Sequence, residues 1–351
     1  MDAVGIALRH DSSSRIGLGH ARRARSLAVA FGKCGLSVVH LVSGAARDGL
    51  VAEGIAAETI RCTDGTNLAE LAAELRFGAI VFDTLWRGNA ESTVREVMSL
   101  RRTPLVRVVI DSMPPDHYPI DIPAATPELL VTPYLGAARL RPAAPAERWL
   151  AGAAYAVLGP EFERAPVRPA HELGPRVMLS CGGSDEDGLS RAAASALAST
   201  GVALDVVIGP LFDARTRTAL ERLAAEHDAV RLHRAPASLA SLIARASLVV
   251  GRPGLLRYEA AALGRAAIYL ARGREYREYY EGFASAGLAE LYFEADRDGR
   301  ARFLQRLSHI DAEAAPSILA GAAASRHIDV NGAARVVEEI LKRTPSAGRC
   351  R

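Results

Sequence analysis

Val4-Gly-Ile-Ala-Leu8, then Ser12-Ser13-Ser14-Arg15-Ile16-Gly17-Leu18-Gly19-His20, then the Ala/Arg/Leu-rich stretch Ala21–Phe31: how this run is read decides the fold. An apolar run, a turn with paired glycines and a helically patterned segment spell a strand, a loop and a helix start. Glycine lets the backbone turn tightly and brings bare N–H groups close to a ligand. The helix that follows offers unpaired amides and a positive dipole end to an anion. His20 sets the loop apart from a generic phosphate cradle, because an imidazole takes or gives a proton near neutral pH without carrying a fixed charge. It stands there either as a catalytic base or as a helix cap, and His10 at the end of the same strand is held in reserve.

Outward from this loop the alternation continues through Ser37–Val42, Leu68–Leu75, Ala79–Phe82, Glu91–Leu100, Val106–Ile110 and Leu129–Val131. Apolar runs alternating with helical patterns predict a parallel sheet wrapped by helices. Pro160, Pro166, Pro169 and Pro175 then break the pattern and mark an interdomain connection. A second series runs from Val177–Ser180 through Asp205–Ile208, Leu220–Glu226, Val230–His233, Leu239–Ala244, Leu248–Val250 and Leu255–Leu263 to Ala267–Leu270. The expectation is an α/β chain of two Rossmann-like, doubly wound parallel-sheet domains facing a cleft, residues 1–165 and 166–351. The second carries an amphipathic C-terminal helix over Gly332–Leu341. In such sheets ligands bind outside the carboxyl ends of the strands.

At 351 residues the chain exceeds one ordinary core, and at 49% hydrophobic and 24% charged it has the composition of a folded protein. A net charge of +3 gives no global field for nucleic acid. Locally, Arg15, Arg22, Arg23 and Arg25 crowd the glycine loop, either to attract an anion or as a solvated helix face. The cysteines at 34, 62, 181 and 350 show no metal or redox spacing and read as reduced thiols of a cytoplasmic protein. Neither a signal peptide nor a membrane span is read, so the expected state is a cytoplasmic monomer with no nucleic-acid or membrane partner.

A dinucleotide fingerprint fails: Arg22 stands at the third glycine position, and no acid closes the second strand at His40-Leu41-Val42-Ser43. No Gly-Lys-Ser/Thr forms a Walker loop. Asp11, Asp83 and Asp111 each follow an apolar strand, where a carboxylate orients an imidazole, binds substrate hydroxyls or caps the next helix. No metal is assigned to them, since nothing fixes their mutual distances. Two further anion-ready turns, Gly182-Gly183-Ser184 and Gly251–Gly254, also lie between strand and helix. Glu259 follows the second one, placed either to accept from two ribose hydroxyls or to sit on the surface.

Four motifs, taken in order along most of the chain, resemble the pseudaminic-acid-pathway hydrolase family. They are Asp11-Ser-Ser-Ser14 with Gly17-Leu-Gly-His20, Tyr155-Ala-Val-Leu-Gly-Pro-Glu-Phe162, Met178-Leu-Ser-Cys-Gly-Gly-Ser-Asp185 and Ile328-Asp-Val-Asn-Gly-Ala-Ala-Arg335. Members of that family are UDP-2,4-diacetamido-2,4,6-trideoxy-β-L-altropyranose hydrolases related to spore-coat polysaccharide proteins. The resemblance implies a GT-B-like fold and inverting hydrolysis of a nucleotide sugar without metal or cofactor. His20 would be the base on water, with Gly17 and Gly19 shaping the pocket beside it; from their positions alone, Asp11 is taken as catalytic with His20, and Arg15 and Asp83 as substrate-binding. Gly183, Ser184 and Gly254 would approach the diphosphate, and Gly182, Arg252 and Leu255 are taken as substrate-binding from their place in or beside the same turns. The segment Arg234–Leu239 would face the uracil, and Glu259 would hold the ribose.

Departures fall on the sugar and diphosphate side. Leu255 and Leu256 replace the family's Ser-Thr, so Arg252 or Arg257 is left to supply positive charge. Arg272-Gly-Arg-Glu-Tyr276 replaces an Asn-Gln, and Thr132-Pro133-Tyr134 replaces an Asn-rich turn. The nucleotide-sugar class therefore carries over better than the particular sugar. The leading expectation is a hydrolase that splits a UDP-activated deoxy-amino sugar. The alternatives are a GT-B glycosyltransferase and a non-catalytic nucleotide-sugar-binding protein.

Overall fold

The computed structural model describes residues 5–13, 16–52, 54–86, 88–112, 117–140, 148–166, 172–310 and 328–344. The chain divides into two compact units, one of residues 1–160 with 329–351 and one of residues 161–328.

In the first unit β1 (Gly5–His10) runs into α1 (Gly19–Lys33), followed by β2 (Val38–Val42), α2 (Arg47–Ala52), β3 (Ile60–Cys62), α3 (Leu68–Glu74), β4 (Phe77–Asp83), α4 (Ala90–Ser99), β5 (Val106–Ile110), β6 (Leu129–Thr132), α5 (Ala137–Leu140) and β7 (Trp149–Ala151). All seven strands are parallel, in the order β3-β2-β1-β4-β5-β6-β7. A parallel sheet is covered on both faces, which is why its strands read as continuous apolar runs. Side chains nevertheless alternate: Ile6, Leu8, Ala79, Val81, Val108 and Ile110 pack with α1, while Ala7, Ile80, Phe82 and Val109 pack against α3 and α4.

The second unit repeats the scheme with α6 (Pro160–Glu163) at the junction, β8 (Arg176–Ser180), α7 (Leu189–Ala198), β9 (Ala203–Ile208), α8 (Ala214–Glu226), β10 (Val230–Arg234), α9 (Ala240–Arg245), β11 (Leu248–Gly251), α10 (Leu256–Ala262), β12 (Ala266–Ala271), α11 (Arg277–Ser285), β13 (Glu290–Phe293) and α12 (Gly299–Ser308). Its six strands are parallel in the order β10-β9-β8-β11-β12-β13. Each sheet reverses its strand order once, at β1/β4 and at β8/β11. These switch points are where open α/β sheets place their ligands.

Two expectations are corrected. The C-terminal helix, Gly332–Arg343, belongs to the first unit: Ala333, Val336, Val337 and Ile340 complete the core beside α1. An amphipathic stripe tells that a helix packs but not on what. Cys34 is disulfide-bonded, while Cys62 and Cys181 are free. The thiols therefore no longer indicate a compartment.

No described helix is long and apolar enough to cross a membrane.

Candidate active site

The loop between β1 and α1 is built as its glycines require. Gly17, at φ +85°, donates its N–H to Ser13 O (2.8 Å), and Ile16 N donates to Ser13 Oγ (3.0 Å), closing a tight turn. Gly19 then starts α1. Arg15 lies outside the described residues.

His20 is the second residue of α1 and is buried. Its Nδ1 lies 2.8 Å from Oδ1 of Asp83, the last residue of β4, the strand next to β1. The N-cap position of α1 is Leu18, and the His20 ring is turned to Asp83, so capping does not explain this histidine. Arg23, one turn further along α1, grips the same carboxylate through Nε to Oδ2 and Nη2 to Oδ1, both at 2.8 Å, and its Nη2 also donates to Ser112 Oγ (3.0 Å). Burial alone would raise the Asp83 pKa; Arg23 and His20 outweigh it and hold the carboxylate far below its ordinary value.

Arg23 Nη2 also stands 3.1 Å from His20 Nδ1, but a guanidinium has no lone pair to offer. The shorter contact to an ionised carboxylate places the imidazole proton on Nδ1, directed at Asp83. Nε2 then keeps its lone pair, and no described residue hydrogen-bonds it. Trp86 stands edge-on to the ring at 6.1 Å.

Asp11, expected beside His20, is committed elsewhere. Its Oδ2 accepts from Arg9 Nη1 (2.8 Å) and its Oδ1 from Ser43 N (2.7 Å), so it ties the end of β1 to the end of β2. Asp83 is the carboxylate that meets His20, one of the roles open to an acid at a strand end. Asp111 accepts from Tyr118 N (3.1 Å) and lies 3.5 Å from His117 Nδ1. Among the described residues no cluster of His, Cys, Asp and Glu is placed to hold a metal ion.

His10 is fully buried beside this centre, with Nε2 2.9 Å from His40 Nδ1 and its own Nδ1 lacking a hydrogen-bond partner among the described residues. Burial, then His40, pushes the His10 pKa well down; burial brings His40 from 6.5 to about 4. Both imidazoles are thus neutral in the fold where the unfolded chain would protonate them. Stability should fall as pH drops below about 6.5 and the His40 part should level off near pH 4, at a cost of about 3 kcal/mol, with His10 adding to it. Urea midpoints measured at pH 7.0 and about 5.5 check this. An unchanged midpoint would show that the pair is not neutral in the fold.

In the second unit, Gly182 (φ +98°) and Gly183 form the turn after β8, and Gly183 O accepts from Leu211 N at 2.9 Å. Ser184 is half-buried, and Asp185 accepts from Ser190 N through both oxygens, capping α7. Gly254 is exposed, Leu255 directly precedes α10, and Glu259 is buried within it, which removes the surface-glutamate alternative. Leu239 is buried at the start of α9, and Arg234 pairs with Glu221 on the surface.

The arginines expected to face phosphate are otherwise engaged. Arg252 donates to Asp187, to Glu294 (2.9 Å) and to Leu270 O (2.9 Å). Arg257 is buried among Tyr258, Tyr279, Tyr280 and Phe283, 4.3–5.2 Å from their ring centres. It donates to Pro253 O and to Gly254 O (2.7 Å), so it holds the Gly251–Gly254 turn from behind. Sequence reasoning saw Arg23 only as one arginine of a crowd and passed over Ser112 and Trp86. The spacing of three residues from His20, on one helix face, was the available signal for Arg23.

No protein-family model matches the chain, and no curated protein matches it in sequence. Solved structures do. MurG of Acinetobacter baumannii superposes with a TM-score of 0.64 at 12% identity, covering 97% of this chain and 99% of that one. UDP-GlcNAc 2-epimerase from Neisseria meningitidis, bound to UDP-GlcNAc, gives 0.57 at 12% identity over 96% and 100%. The calicheamicin glycosyltransferase CalG4 gives 0.59 at 16% identity over 98% and 99%. At such identities the likeness is one of fold, and with the paired parallel sheets it makes this a GT-B-like chain of two Rossmann-like domains.

Proposed function

We propose that this GT-B-like chain acts on a UDP-activated deoxy-amino sugar and hydrolyses its anomeric C–O bond, with His20 as the base that activates water. The His20–Asp83 pair carries the reading: a carboxylate held ionised by Arg23 fixes the proton on Nδ1 and leaves Nε2 as a base. A water oxygen attacks the anomeric carbon on the face opposite the UDP, and its proton passes to Nε2. The bond from that carbon to the phosphate oxygen breaks, and its electron pair leaves with UDP, so configuration inverts. The amides of the Gly182–Ser184 turn are assigned to the diphosphate and Glu259 to the ribose, whereas Arg252 N and Gly254 N are spent on Ser180 O and Arg252 O. Support for a UDP-sugar comes from structural neighbours, one of them bound to UDP-GlcNAc.

Transfer to a sugar or metabolite hydroxyl is the second reading, favoured by a glycosyltransferase among the neighbours. The same base would then deprotonate that hydroxyl. A panel of UDP-sugars assayed for UDP release in ¹⁸O-water separates the two. Release without an acceptor, with ¹⁸O in the sugar, is expected. Release that needs an acceptor moves the assignment to transfer, and ¹⁸O in UDP overturns C–O cleavage.

A further inference from the structure

The loops that follow β8, β11, β12 and β13, with the first turn of α12, bring an ionic cluster to the carboxyl edge of the second sheet. Arg252 Nη2 bridges Asp187 Oδ2 and Glu294 Oε1. Arg300 Nη1 lies 3.3 Å from Glu294 and 3.9 Å from Asp187 Oδ2, while its Nη2 donates to Asp187 O at 3.0 Å. Arg272 Nη2 stands 3.4 Å from the same Asp187 oxygen. One carboxylate oxygen thus faces three guanidiniums, and those guanidiniums hold the Asp187 pKa down against the effect of burial.

The cluster is self-compensated. Asp187 and Glu294 oppose Arg252, Arg272 and Arg300, and Asp185 is close enough to feel both Asp187 and Arg252. Asp185 and Arg252 are tied down by their hydrogen bonds to Ser190 N and Leu270 O. Asp187, Arg272 and Arg300 are the more exposed members, at 28%, 52% and 36% of their side-chain surface. The Asp187 carboxylate therefore occupies, by its charge and planar oxygens, the place a phosphate group would take among arginines.

We propose that this cluster is an anion site whose resident counter-ion is the Asp187 carboxylate, which a diphosphate group displaces to reach Arg272 and Arg300. The identity of the ligand as a nucleotide rests on the function proposed above; the exchange itself requires only a diphosphate. Binding is weakened by the contacts that must first be broken, so removing the resident carboxylate should strengthen it. That is the opposite of what a purely structural salt bridge predicts.

The test is calorimetry on the full chain with inorganic pyrophosphate, UDP and uridine. Asp187→Asn should tighten pyrophosphate and UDP about fivefold, and Arg272→Gln should weaken both about tenfold, the sizes expected of partly exposed charge pairs. Uridine affinity should not move. Glu294→Gln makes the same charge change from the other carboxylate and should shift affinity in the same direction, which keeps the test sound should Asp187→Asn fail to fold. Pyrophosphate affinity that is unchanged or weaker in a folded Asp187→Asn or Glu294→Gln protein overturns the exchange, even where UDP binds. The full pyrophosphate pattern with UDP binding no tighter than pyrophosphate upholds the exchange and removes the nucleotide reading instead.

Discussion

Replacing His20 by alanine should lower turnover of the UDP-sugar by about 10²–10⁴, the usual contribution of a positioned general base, while the affinity for UDP stays within about twofold. The geometry makes the prediction sharper than the residue type does. Asp83 and Arg23 do not touch Nε2; they decide which nitrogen carries the proton. Asp83→Asn keeps the shape but turns a dedicated acceptor into a group that also donates, so the imidazole is free to carry its proton on Nε2. It should lose a large part of the same turnover and keep KM nearly unchanged, whereas Asp11→Asn should mainly cost stability, since Asp11 serves Arg9 and the Ser43 amide. Steady-state kinetics of the three variants checks this. Full turnover in His20→Ala would remove the base from the mechanism.

Gly251→Ala should be among the most destructive small substitutions in the second unit. A Cβ there would lie 1.8 Å from Ser180 O and 2.7 Å from its carbonyl carbon, and Gly251 sits at φ +150°, where side chains rarely go. The neighbour cannot yield, because Ser180 is the register partner of Gly251 between β8 and β11, at the centre of the sheet. Loss of about 4 kcal/mol or more is expected, large enough to threaten folding of the unit. Gly254→Ala, three residues on in the same turn, meets nothing within 4 Å and needs no positive φ, so it should change stability by less than about 1 kcal/mol. Paired denaturation curves test the contrast, and equal stability of Gly251→Ala and wild type would refute it.

The glycines that matter are thus distinguished by what lies beside them, which spacing alone does not reveal. Gly17 and Gly182 were legible because positive φ is a local property of a turn. The long apolar strands were legible too, and their bounds moved by only a residue or two. The strands Ile60–Cys62, Trp149–Ala151 and Glu290–Phe293 were missed: each is only three or four residues long and lies at a sheet edge, too short for a period to show.

By itself the sequence determined the α/β class, the split into two similar halves and the place of His20 at the mouth of a glycine turn, because hydrophobic period and turn chemistry are local. The tertiary structure alone decided which charge meets which. It joined Asp83 to His20 across 63 residues, spent Asp11 on Arg9, closed Arg252 onto Asp187 and Glu294, and returned the C-terminal helix to the first core. Strand order places those partners side by side. No periodicity along the chain encodes it, since pairing energy between distant residues appears only once the sheets have assembled.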